Sequence, residues 1–178
     1  MSDVLFGVLK HTIDSPYEGE NLDKYIDFLH TIQKIAIEQR LTIWINGIQS
    51  NDPNDAEYYR CIPDELKEDK QAFTLVISRA PYDMTADALF GDWEYESWRE
   101  GYVPGRAKVF KELENVVNQV FALDEVKSLW LRYQCMFACD VNKLATIADL
   151  EAQIYKQCSN GSSFQVSDFE ISLKKEEK

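Results

Sequence analysis

Apolar side chains recur along this chain at two periods, about two and about three and a half residues, and the alternation between them lays out a mixed fold. Val4 to Ile13 (VLFGVLKHTI) is dense in β-branched and apolar residues and predicts a first strand, with Gly7 marking a bulge or a close approach. From Asn21, the expected N-cap, Leu22, Ile26, Leu29, Ile32, Ile35 and Ala36 repeat every three or four residues as far as Arg40, which describes an amphipathic helix. Leu41 to Ile48 then alternates, with Leu41, Ile43 and Ile45 on one face and Thr42, Trp44 and Asn46 on the other, as a strand requires.

Asp55 to Lys70 is polar and predicts one or two helical turns broken at Pro63. Ala72 to Arg79 reads as a further strand stopped by Pro81. Between Asp83 and Gly105 no period is kept. Arg106 to Leu123 restores the helical repeat through Val109, Phe110, Leu113, Val116, Val117 and Val120, and Val126 to Phe137 alternates again as a long strand. Asp140 is the expected cap of a helix over Val141 to Cys158, a turn falls at Ser159 to Ser162, and Phe164 to Leu173 supplies the last strand.

The resulting order, β-α-β-loop-β-α-β-α-β, predicts an α/β or α+β fold: a single sheet of about five strands with helices packed on it. At 178 residues and 45% hydrophobic, the chain has the size of one domain over residues 1–173, followed by a charged tail at 174–178. Asp3 stands where a secretion signal places basic residues, and no run approaches the roughly 18 apolar residues of a membrane span. A cytoplasmic, soluble protein is expected, with Cys61, Cys135, Cys139 and Cys158 as reduced thiols.

Charge changes the picture most. The net charge is -12, and residues 1–102 hold 20 Asp and Glu against 9 Lys and Arg, a balance of -11, whereas residues 103–178 hold 11 against 10. Nucleic-acid phosphate and anionic lipid carry the same sign and are repelled, so direct binding to either is disfavoured, while a basic protein is attracted. Part of the acid is interleaved with aromatic rings in Tyr82 to Tyr102, where Asp83, Asp87, Asp92, Glu94, Glu96 and Glu100 alternate with Trp93, Tyr95, Trp98 and Tyr102. Rings that anchor and carboxylates that steer make this stretch the predicted partner-binding site, with a competing reading in which the rings cover the end of the sheet. Asp52 to Asp69, with Tyr58 and Tyr59, forms a second acidic segment.

Candidate chemistry is sparse. Cys135 and Cys139 lack a nearby histidine, since His11 and His30 are the only two, so no metal centre is predicted. A cysteine-histidine pair needs a geometry that spacing does not supply, and the glycines form no phosphate-cradling motif, so no cofactor is expected. Asp92 and Glu96 beside Trp93 and Tyr95 leave open a small hydrolase working through paired carboxylates.

In size, charge and lack of a catalytic signature, the chain resembles the small acidic immunity proteins that bacteria pair with toxins. The resemblance implies an inhibitor that occludes the active site of a cationic, nuclease-type toxin; a phage-borne inhibitor that imitates nucleic acid belongs to the same class.

Overall fold

The computed structural model of the chain describes residues 4–46, 61–67, 69–78, 108–134, 141–152 and 169–176. These comprise β1 (Val4–His11), α1 (Gly19–Glu38), β2 (Thr42–Asn46), a short α2 (Asp64–Lys67), β3 (Ala72–Ser78), α3 (Lys108–Ala122), β4 (Val126–Gln134), β5 (Asn142–Leu144), α4 (residues 147–152) and β6 (Phe169–Lys174). The strands form one sheet in the order β2-β3-β1-β4-β6-β5, antiparallel except where β5 runs parallel to β6. The predicted mixed fold, one sheet with helices packed on it, is therefore what the chain adopts. It has one strand more than expected, β5.

β1 is central, paired with β3 on one side and β4 on the other. Its unbroken apolar run follows from that position, because both of its faces are covered. Leu5 and Leu9 join the main core under α1, α3 and α4, while Phe6 and Val8 meet Trp130, Ile62 and Leu66 on the opposite face. The main core takes Ile43, Leu75, Ile77, Leu129, Leu131, Tyr133, Phe169 and Ile171 from the sheet, with Phe110, Leu113, Val116, Val117 and Val120 from α3. Gly7 sits where strands crowd: a Cβ there would lie 2.5 Å from the Trp130 carbonyl oxygen and 2.7 Å from Leu131 Cδ2. Close approach, not a bulge, is what the glycine serves, and the register shift falls at Lys10 and His11 instead.

α1 departs from its predicted face. The helix begins at Gly19 after Glu18, two residues before Asn21, and it buries Tyr25, Phe28, Ile32, Ile35 and Ala36. Leu22 and Ile26, expected inside, are 37% and 39% exposed. At 100° per residue the pairs Leu22/Ile26 and Tyr25/Phe28 lie roughly 110° apart around the axis, too far for both to be buried fully. Aromatic side chains remove the larger apolar area from water, at about 25 cal/mol per Å², so Tyr25 and Phe28 set the rotation.

A second correction concerns residues 141–158. Instead of one helix capped at Asp140, the chain lays Asn142–Leu144 beside β6, with Leu144 opposite Ile171, and then starts α4. That helix is capped by Thr146: its Oγ1 accepts the Asp149 N–H at 3.2 Å, while Asp149 Oδ2 accepts the Thr146 N–H at 2.9 Å, a reciprocal capping box. Leu144, Ile147 and Leu150 all face the core, and their three-residue spacing mimics a helix through the strand. At the C-terminal end, β6 runs to Lys174, and the Lys175 N–H bonds the Lys127 carbonyl at 3.0 Å, so the described chain stays on the sheet past residue 173.

Candidate partner-binding surface

The connection from β1 into α1 is built on a buried histidine. His11, 1% exposed, ends β1 among Tyr25, Phe28 and Phe73, with ring centroids 5.2 to 6.1 Å away. Its Nδ1 accepts the Ile13 N–H at 3.2 Å, which leaves the ring proton of the neutral form on Nε2. Burial holds its pKa below the usual histidine value; the Asp69 carboxylate opposes this and the Lys127 ammonium reinforces it. Around it, backbone bonds tie His11 to Gln71 and Thr12 to Glu125, both at 2.8 Å. The Gln71 amide donates to Asp14 at 2.7 Å, and Lys10 pairs with Asp69. In Asp69, partial burial raises the carboxyl pKa, but the Lys10 ammonium and the Gln71 N–H outweigh it and hold the group below the ordinary value.

This fixed base presents a distinctive surface. Tyr17 projects from the connection, 72% exposed, with its ring edge-on to Tyr25 at 5.7 Å. Burial, and then the Tyr17 hydroxyl, raise the pKa of Tyr25, so the Tyr25 phenol stays protonated across the physiological range. Leu22 and Ile26 stand one helical turn apart on α1, and farther along the same stripe, past half-buried Leu29 and Gln33, Ile37 is 66% exposed. Exposed carboxylates crowd the head of the stripe: residues 12–29 carry Asp14, Glu18, Glu20, Asp23 and Asp27 against Lys24 alone, five against one. Toward the C-terminal end the sign reverses, with Lys34 facing Glu38 at 4.0 Å and Arg40 beyond, two cations against one carboxylate.

The opposite face of the sheet carries a different set. Trp44 Nε1 donates to Ser78 Oγ at 3.3 Å, and across β1 the row continues from Val76 and Phe6 to Arg132, which pairs with Glu170 at 3.8 Å. Beside it Trp130, edge-on to Phe6 at 5.6 Å, is buried with its Nε1 unbonded among the described residues. Cys61 packs on this face, whereas His11 lies on the helix-covered face, so the sheet separates them and rules out that cysteine-histidine pair. His30 is exposed on α1. Among the described residues no group of three His, Cys, Asp or Glu is placed to hold a metal ion, and no helix is long and apolar enough to cross a membrane.

The predicted binding residues Asp83, Asp87, Asp92, Trp93, Glu94, Tyr95, Glu96, Trp98, Glu100 and Tyr102 all lie outside the described residues, as do Cys135, Cys139 and Cys158. Of the acids in the second segment, Asp64, Glu65 and the Lys10-paired Asp69 are described. Asp64 is exposed and its carboxyl is held low by the hydrogen bond and charge of Lys67 at 2.7 Å. The surface at the head of α1 was not singled out from sequence, because Leu22 and Ile26 were assigned to the core. The competing set Tyr25, Phe28, Ile32 and Ile35, also spaced by three and four, was the signal that would have exposed it. Compared with protein-family models, curated proteins and solved structures, the chain matches none.

Proposed function

We propose that the protein is a binding inhibitor of a basic partner, in the manner of the immunity proteins that neutralise nuclease-type toxins by covering the groove that takes nucleic acid. The observation that carries this reading is the segregation of charge, -11 of the net -12 within residues 1–102. A groove shaped for phosphate is lined with Lys and Arg, and a protein that fills it gains most from a dense, one-signed array of carboxylates, which speeds encounter and excludes neutral competitors. Exposed carboxylates next to an exposed ring at the head of α1 are in keeping with such a role, as are the interleaved acids and rings of residues 82–102. On this reading the chain binds protein and performs no chemistry, takes no cofactor, contacts neither nucleic acid nor membrane directly, and works in the bacterial cytoplasm.

Affinity capture with the full chain, followed by mass spectrometry, would identify the partner. Adding the purified chain to that partner should abolish its action on nucleic acid at a one-to-one ratio. Capture of an acidic partner, or of a basic one whose activity continues undiminished in the complex, would overturn the reading.

A further inference from the structure

The geometry points to the outer flank of α1 as a docking face for the basic partner, in which the partner's apolar side chains seat on the Leu22 and Ile26 stripe while its Lys and Arg meet Asp23, Asp27 and Glu18. The inference rests on the reading that the partner is basic, and adds where and in which direction it binds. Two independent features of the surface carry it. One is apolar: Leu22 in the first turn of α1 and Ile26 one turn on, left 37% and 39% exposed, forgo burial that the core gave to Tyr25 and Phe28 instead, and Tyr17, edge-on to Tyr25, is 72% exposed. The other is electrostatic, five carboxylates against one ammonium over residues 12–29, which favours a cationic occupant over a neutral or acidic one.

The charge is also graded along the helix. Over the first half of α1 Glu20, Asp23 and Asp27 outnumber Lys24, with Asp14 and Glu18 in the connection before it, whereas Lys34 and Arg40 outnumber Glu38 near the far end. A bound segment therefore places its positive charges over the N-terminal half of α1 and its neutral, apolar part toward Ile37. Tyr17 adds a flat ring, edge-on to Tyr25, on which a guanidinium can stack. The surface needs no rearrangement to bind, because Asp14 and the connection behind Tyr17 are tied to Gln71 and Glu125.

The test uses the full chain, labelled with ¹⁵N, and a synthetic helical peptide with leucine along one face and arginine along the flank. Amide shifts should concentrate in residues 14–30 of α1 and its connection. Ile26→Ser and Asp23→Lys, both at exposed positions, should each weaken the peptide by about tenfold, with midpoints of unfolding unchanged. A second peptide in which serine replaces leucine at constant charge should bind about tenfold more weakly. Equal affinity of the two peptides would overturn the seating of apolar side chains. Shifts confined to other parts of the chain would sink this face and leave the basic-partner reading standing; no binding of either peptide at low salt would sink both.

Discussion

His11 couples the fold to pH. Burial among three aromatic rings keeps it neutral, and the folded-state pKa lies below the unfolded value of 6.5. The unfolded chain therefore takes up a proton as pH falls through that value while the folded one does not. Its contribution to stability is complete above pH 6.5 and is lost as pH drops toward the folded pKa. Lys10, Asp69, Lys127 and Tyr25 surround the ring, and of these Asp69, held low by Lys10, titrates in a lower window. Urea unfolding at pH 7.5 and 5.5 should show a clear loss for the wild type and a smaller one for His11→Gln; equal losses would show that the buried imidazole does not govern this window. Nothing in the residues around His11 announced this role. The sequence places His11 in a strand, but the cage is made by Tyr25 and Phe28 from α1 and by Phe73 from β3, and only tertiary packing assembles it. Gly7 was legible in part: a glycine in the middle of an apolar strand signals a bulge or a close approach, and only its packing against Trp130 and Leu131 decides for the second.

At the level of elements, the helix ends show where local rules are obeyed and where they are not. α1 finishes in a Schellman motif: Arg40 donates its N–H to the Ile37 carbonyl at 3.0 Å, Leu41 donates to that of Ala36 at 2.9 Å, and Leu41 is buried in the main core. The motif demands a left-handed residue, which Arg40 supplies at φ 61° in place of the usual glycine. Arg40→Gly should relieve that conformation and raise the stability by up to about 1 kcal/mol in denaturant titrations, with the slope unchanged. An unchanged or lowered midpoint would mean that the arginine side chain offsets its backbone cost. The helices and the longer strands were legible because their periods run for many residues. β5 was not, since three residues cannot display a period and its single buried residue, Leu144, falls in step with the helix that follows. The face of α1 failed for a related reason: two apolar sets share the helix, and spacing alone does not weigh a ring against an aliphatic chain.

For the whole molecule, the sequence gives the mixed fold and its charge, but the strand order β2-β3-β1-β4-β6-β5 depends on contacts between distant segments that no local pattern records. β1 and β2 flank β3, although α1 alone connects them and β3 comes later in the chain, and a linear reading has no signal for that insertion. Charge acts at the same scale and with opposite signs on folding and binding. A net charge of -12 repels itself in the compact state, and the ion pairs at the surface of the helices are exposed and worth little. Salt shortens the Debye length from about 10 Å at 0.1 M to about 3 Å at 1 M, so it should raise the thermal midpoint of the free protein. The same screening removes the attraction toward a basic partner, so association should slow by about tenfold or more over that range while dissociation changes less. Stopped-flow binding and thermal melts on one salt series measure both. If the association rate is flat while the melts shift as expected, the acidic surface stabilises nothing at encounter, and the partner is held by apolar contact alone.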